Sequence, residues 1–229
     1  MGDWRDFEPI NPKGRREMEE REKLKKLYAL YWGEMVGEKY FSPQLKNPRE
    51  EELEKLKKEV ERCTKCPLHL TRTRPVFGEG SIDAKLFFVG EGPGAMEDKS
   101  GRPFVGRSGK LLTQLLSEVG LDRGEVYIGN IVKCRPPQNR VPTPEEAEKC
   151  KPYLLKQIDI INPSVIVCLG KTAFYYLLGK KMPISRARGQ IFRVKERKVV
   201  PTFHPSYLLR NPEALPLARQ DFQLIKSLV

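Results

Sequence analysis

The chain has 229 residues and a hydrophobic content of 39%, enough for one packed domain with an appendage. Lys and Arg number 42 against 30 Asp and Glu, a formal charge of +12 that favours a polyanionic partner, nucleic acid first, although a basic surface serving solubility alone would read the same way. There is no run of about 18 apolar residues, and the N-terminal MGDWRDFEPINPKGRREMEE lacks a secretory signal's apolar core and cleavage site, so no membrane segment and a cytoplasmic location are expected.

In chain order, residues 1–62 read as an N-terminal helical extension. GRREMEEREKLKKLYALYW and PREEELEKLKKEVER are charge-rich helical patterns joined by a turn region, with Leu24, Leu27, Tyr28 and Tyr31 as the buried stripe of the first. Residues 63–229 form the second predicted domain, where short β-branched or aromatic runs alternate with helices. KLFFVG, VYIGNIVKC and SVIVCLG are predicted as buried parallel strands, and QIFRV and KVVPTFHP add two more. Helices are predicted over 107–119, 144–160, 171–178 and 213–228. The second is well signalled, with Thr143 as N-cap, Pro144 at the first position and Glu145 and Glu146 in the first turn. Strand and helix in alternation imply an α/β fold, three layers (α/β/α) around a central, mainly parallel sheet. Ligands of such sheets bind at the carboxyl ends of strands, where GEGPG and FHPSY fall.

The chain holds five cysteines, and their spacing has to explain them. Cys63 and Cys66 form C-x-x-C, while Cys134 and Cys150 follow with fifteen residues between them, the first at the end of a predicted strand and the second inside the Thr143 helix. Four thiolates make a complete metal-ligand set. A redox C-x-x-C would need a thioredoxin-like strand-then-helix context, which is missing. Spacing alone leaves zinc and an iron–sulfur cube both open, because three separate segments converge where a zinc ribbon would use two C-x-x-C knuckles. Cys168, in the middle of VIVCLG, reads as an ordinary buried thiol.

LFFVGEGPGAMED raises a choice between a cofactor loop and a catalytic one. Gly90, Gly92 and Ala95 match G-x-G-x-x-G/A, but MEDKSGRPFVGRSG follows, in which Gly101 and Pro103 are expected to prevent the helix that a dinucleotide loop requires. GRSGK is no P-loop, since Phe104 replaces its first glycine and Leu111 its Ser/Thr. What remains is a backbone that can approach a planar ligand, two carboxylates (Glu91 and Glu97) and an aromatic loop residue, Phe104. Asn130 in GNIVKC and His204 in FHPSYLLR complete a set able to bind a nucleobase and cleave its bond to sugar. Taken singly, each also has a structural use: Phe104 as core, Asn130 as a strand-end residue, His204 as a helix cap.

GEGPGAMEDKSGRPFVGRSGKLL, YIGNIVKCRPPQNRVPTPEEAEKC and FHPSYLLR together resemble the family 4 uracil-DNA glycosylases, the iron–sulfur type of thermophilic archaea and bacteria. The resemblance runs from about residue 63 to the C-terminus and leaves the N-terminal helices unexplained. It implies the three-layer glycosylase fold and a [4Fe-4S] cluster on Cys63, Cys66, Cys134 and Cys150, with a structural role. It also implies a monofunctional hydrolase that releases uracil from single- and double-stranded DNA in base-excision repair. The flipped uracil would stack on Phe104 and pair with the Asn130 amide, which accepts from N3–H and donates to O4. His204 and the backbone N–H groups of Gly90 to Gly92 would stabilise the charge growing on uracil O2. Glu91 is the first choice for the attacking water and Glu97 the second, with a further use for Glu97 in crowding the C5 position. Phosphate contacts are expected from free N–H groups near Ser206, the Ser206 hydroxyl and Arg210, with Arg107 and Ser108 as further candidates.

Two other readings stand beside this one, a glycosylase of wider base specificity and a metal-stabilised nucleic-acid-binding protein without catalysis. A monomer is expected. For the N-terminal helices, DNA, a DNA sliding clamp and the protein itself are all candidate partners.

Overall fold

The computed structural model describes Lys23 and residues 47–229. Apart from Lys23, the first predicted N-terminal helix, with Leu24, Leu27, Tyr28 and Tyr31, lies outside the described residues. The chain separates into a unit of residues 1–47 and a unit of residues 48–229, and the second carries everything below.

The second unit begins with helix α1 (Pro48–Glu61), which buries Leu56 and Val60 and packs against α4 (Pro144–Ile161). Its sheet has strands β1 (Glu79–Gly80), β2 (Leu86–Gly90), β3 (Tyr127–Asn130), β4 (Val165–Leu169), β5 (Phe192–Val194) and β6 (Arg197–Thr202) in the order β1-β3-β2-β4-β6-β5. The four inner strands run parallel, and β1 and β5 are antiparallel edges. A mainly parallel sheet is therefore what forms. QIFRV differs from expectation in being a short antiparallel edge that is only partly covered.

Alternation along the strands assigns the two faces. Leu86, Phe88, Ile128, Val165, Val167 and Val200 pack with helix α3 (Arg107–Glu118), through Leu112, Leu115 and Leu116, and with helix α8 (Leu215–Ser227), through Ala218, Phe222 and Ile225. Phe87 and Tyr127 face the other way, with rings 4.8 Å apart, and Gln157 of α4 reaches the Tyr127 hydroxyl at 3.3 Å. Helix α5 (Lys171–Leu178) packs on β4 and β2. Each fully buried Phe or Leu in these layers contributes roughly 1.5–3 kcal/mol of burial free energy, so the core forms without help from the polar site residues.

The predicted N-cap of α4 is present, and it closes a reciprocal box that was not predicted: Thr143 Oγ1 accepts the Glu146 N–H at 3.2 Å, and Glu146 Oε2 accepts the Thr143 N–H at 2.8 Å. Such a box is worth about 1 kcal/mol. VYIGNIVKC is strand only as far as Asn130, so Cys134 lies beyond the strand rather than at its end. Pairing continues briefly past β3, with Ile131 N–H donating to Gly90 O (2.9 Å) and Val132 N–H to Glu91 O (3.2 Å), which ties the two segments that enter the site.

The segment after the glycine turn corrects one expectation. Residues Ala95–Ser100 do form a short helix, α2, and Gly101 ends it in the left-handed region at φ 74°. Gly101 acts as a C-cap, so the helix is short instead of absent. Two further short helices are α6 (Ile184–Ala187) and α7 (Pro205–Leu208).

Candidate active site

Each of the four parallel strands delivers one component to the same end of the sheet. Glu91 follows β2, Asn130 closes β3, Gly170 to Thr172 follow β4, and Phe203 and His204 follow β6. They line one cleft of about 760 Å³ with Phe104. The chain moves from β2 outward to β3 and then returns to the opposite side of β2 as β4, so the cleft opens where the strand order reverses.

Phe104 is 7% exposed and adopts φ 50°, a left-handed conformation that an aromatic residue takes only under constraint. The constraint comes from Glu97. Its Oε1 accepts the N–H groups of Val105 and Gly106, both at 2.9 Å. Arg123 Nη2 donates to Pro103 O at 2.6 Å on the other side. Gly109 lets the Phe104 carbonyl press against α3, where any Cβ would overlap it. The ring sits 5.7 Å from the His204 ring, at 36°.

Asn130 is 2% exposed, and its Oδ1 has no hydrogen-bond partner. An orphaned buried acceptor costs about 1–3 kcal/mol, a cost that a ligand N–H would remove. Gly90 makes the arrangement possible, because a Cβ there would collide with Asn130 Oδ1 and come within 2.6 Å of the Phe104 ring. At Gly92 a Cβ would stand 2.7 Å from Val132 Cγ2. These glycines allow close packing of protein side chains at the pocket floor.

Glu91 Oε2 accepts a hydrogen bond of 2.5 Å from the Thr172 hydroxyl, which bridges the β2 and β4 ends. His204 caps α7: its Nδ1 accepts the Ser206 N–H at 3.1 Å and lies 2.8 Å from Ser206 Oγ. With Nδ1 accepting, the ring proton sits on Nε2. Burial, with the Arg210 charge beside it, pushes the His204 imidazole down to about 4 against the opposing pull of Glu97. The ring is neutral at physiological pH.

The sequence-predicted residues Gly92, Glu91, Glu97, Phe104, Asn130, His204, Ser206, Ser108 and Arg210 all line the cleft. The Ser206 N–H, expected to be free for phosphate, is committed to His204, and α7 spans only four residues. Arg107 is exposed at the first position of α3, outside the cleft lining. Sequence reasoning missed Thr172, Lys171 and Arg140, which also line the cleft. The signal for the first two was available in principle: Gly170 directly after a predicted parallel strand marks a βα turn at the ligand-binding end.

Cys63, Cys66, Cys134 and Cys150 line a second pocket, and none of them is in a disulfide. Arg72 Nη1 donates to Cys134 Sγ at 3.0 Å and the Lys133 N–H to Cys150 Sγ at 3.2 Å. Burial pushes the Cys66 and Cys134 thiols up and the Cys150 thiol up to about 12. Thiolates at these positions need a bound cation to persist near neutrality. Among the described residues, no group of three or more His, Cys, Asp or Glu side chains is already arranged to hold a metal ion. The donor set itself, four sulfurs around a shared void with N–H donors aimed at two of them, suits a thiolate-bound metal group. Cys168, by contrast, is alone and fully buried in β4.

The two pockets are mechanically joined. Lys133, 1% exposed, donates from Nζ to Asn130 O (3.0 Å) and Gln157 Oε1 (2.5 Å), while the next residue is Cys134. Asp98 of α2 accepts the Thr73 N–H through both carboxylate oxygens (3.0 and 3.1 Å), fastening the segment after Cys66 to the helix that carries Glu97.

Comparison with known proteins agrees with this geometry. The family description "Uracil DNA glycosylase superfamily" matches residues 77–225. The chain is 55% identical over 185 residues to a Type-4 uracil-DNA glycosylase of Thermotoga maritima, covering 79% of this chain and 96% of the relative. It is 47% identical to that of Sulfurisphaera tokodaii (77% and 84% covered) and 45% identical to that of Archaeoglobus fulgidus (78% and 94% covered). With its catalytic-type cleft at the strand ends, its four convergent cysteines and these similarities over most of its length, the chain belongs to the uracil-DNA glycosylase superfamily, among the type-4 members.

Proposed function

We propose that this protein is a monofunctional glycosylase that hydrolyses the bond between uracil and deoxyribose in DNA, leaving an abasic site for base-excision repair. The observation that carries the reading is the orphaned Asn130 Oδ1, buried beside Phe104 and His204 in one cleft. A base extruded from the stack lies on the Phe104 ring. Asn130 Oδ1 accepts from uracil N3–H and its amide nitrogen donates to O4. Cytosine presents the opposite pattern at those atoms and is rejected.

As the C1′–N1 bond breaks, its electron pair moves onto uracil, and the neutral His204 donates from Nε2–H to the charge forming on O2. Glu91, oriented by Thr172, accepts a proton from the water whose oxygen bonds to C1′, and its charge stabilises the cationic sugar. Glu97 is assigned a positioning role instead of a direct one, because its carboxylate holds the Phe104 loop. Arg210, Ser108 and the Ser206 hydroxyl are assigned to phosphates around the flipped nucleotide, and exposed Arg107 to a more distant one.

Cys63, Cys66, Cys134 and Cys150 would hold a [4Fe-4S] cluster, whose contribution is to brace the chain segments around the pocket. The donor chemistry and the cationic surroundings of the sulfurs support this. Protein purified without chelator is expected to be brown, with about four irons per chain by this assignment. Cys134→Ser is expected to lose the colour and to lower the melting temperature by many degrees, because a ligand group shared by several segments is removed. A colourless protein containing zinc would overturn the assignment.

The wider reading is a cytoplasmic monomer acting on single- and double-stranded DNA, with the segment that precedes α1 as an extension available to DNA or to a sliding clamp. No helix among the described residues is long and apolar enough to cross a membrane. The test of function is uracil release from a single-stranded oligonucleotide and from a U:G duplex, with hypoxanthine, xanthine and T:G substrates alongside. Binding without any abasic product would overturn the proposal, and equal release of the other bases would replace it with a broader specificity.

A further inference from the structure

A second hollow, of about 340 Å³, opens beside the base pocket, and Val141, Lys171 and Thr172 line both. Its outer wall carries Tyr175, Lys180 and Lys181, and no carboxylate lines it. Tyr175 is 37% exposed and is backed edge-on by Tyr176, ring centroids 5.1 Å apart, so the ring is held while part of it faces solvent. Lys180 is drawn over the Phe192 ring at 4.9 Å. Among the described residues, Lys171, Lys180 and Lys181 enter no ion pair. Three unpaired cations flanking a supported aromatic ring form the pattern that binds single-stranded nucleic acid without reading its sequence. Solvated lysines serving solubility would not require continuity with the base pocket.

We propose that this hollow is a subsite for the DNA strand flanking the extruded uridine on one side. One neighbouring base stacks on Tyr175, and the backbone phosphates run along Lys171, Lys180 and Lys181. The inference rests on the uracil-excision reading, since it takes the occupant of the first pocket as a nucleotide within a strand. It gives the extruded base an anchor beyond its own pocket and leaves the chemical step unchanged. Binding energy from Tyr175 then appears in KM.

The test is steady-state uracil release by the full chain on single-stranded oligonucleotides with an internal uridine, at several salt concentrations. A second substrate pair is truncated so that no nucleotide remains on the 5′ side or on the 3′ side of the uridine. Tyr175→Ala is expected to raise KM about tenfold on the full substrate with kcat unchanged, and Tyr175→Phe to keep the wild-type value. The exposed pair Lys180→Gln with Lys181→Gln is expected to reduce the slope of log KM against log salt by about 1.4, from roughly 0.7 per phosphate contact on a single strand. On one of the two truncated substrates, wild type is expected to show the raised KM already, with Tyr175→Ala adding nothing. If wild type releases uracil while all three variants keep its KM and salt slope on the full substrate, the subsite is refuted and the proposed function stands. If wild type releases no uracil from any substrate, the function itself falls. Unchanged kinetics with a dimer lost from sedimentation in Tyr175→Ala would assign the hollow to a second copy of the chain and overturn the proposal.

Discussion

Glu91→Gln is expected to lower the single-turnover rate of uracil release by about 10²–10⁴-fold, the range for losing a positioned general base, while binding of uracil-containing DNA stays near the wild-type level. The amide keeps the size of the side chain and can still bond Thr172, so the loss isolates the charge and basicity of the carboxylate. Thr172 provides the internal control. Its hydroxyl donates to Glu91 Oε2 at 2.5 Å from the end of the adjacent strand β4, an interaction between residues 81 positions apart. Thr172→Val removes that bond in a nearly isosteric side chain and is expected to reduce the rate about tenfold, the cost of one charge-assisted hydrogen bond at the low end of its range. Thr172→Ser should restore it. In Glu91→Gln the Thr172→Val change should cost much less, since the residue it orients is already disabled. Additive losses in the double variant would show that Thr172 acts elsewhere.

His204→Ala is expected to cost about 10²–10³ in rate, as for removal of one donor to a developing oxyanion. A second expectation concerns pH. The His204 imidazole is held at about 4 in the folded protein, whereas an unfolded chain would have it near 6.5. Between those values the unfolded state binds the extra proton, so stability falls as pH drops from about 6.5 towards 4. The integrated loss is on the order of 3 kcal/mol. Denaturant unfolding at pH 7 and at pH 4.5 should show this component in wild type and its absence in His204→Gln. The chain has only two histidines, so nitrogen-detected spectra can follow this ring directly. It should remain the neutral Nε2–H tautomer down to about pH 5. A ring titrating near 6.5 would contradict both the burial and the proposed electrostatic role.

The strands and helices of the core were legible because a buried parallel strand is a short apolar run, and LFFVG, YIGN and VIVCL are such runs. Thr143 was legible as a cap because its partner, Glu146, lies three residues away. The two-residue β1 and the antiparallel direction of β5 were not, since they depend on which neighbour is at hand. Helix α2 was missed because Gly101 and Pro103 were read as preventing a helix, although a glycine also ends one. In the site, Glu91, Phe104, Asn130 and His204 stood out as residue types suited to a base and its sugar bond. The division of labour between Glu91 and Glu97 did not, because both are carboxylates in one turn.

Sequence by itself determined the four-cysteine set, the alternation that forms the sheet, and the residue types that gather at the strand ends, because side-chain chemistry and periodicity are local properties. Tertiary structure decided which groups are already engaged. Glu97 is occupied by the Val105 and Gly106 amides, the Ser206 N–H by His204, and Glu91 by a threonine from another strand end. Asn130 Oδ1 is left without a partner. The physical reason is that a hydrogen bond needs two groups within about 3 Å, and the parallel strands bring such pairs together from positions up to 81 residues apart.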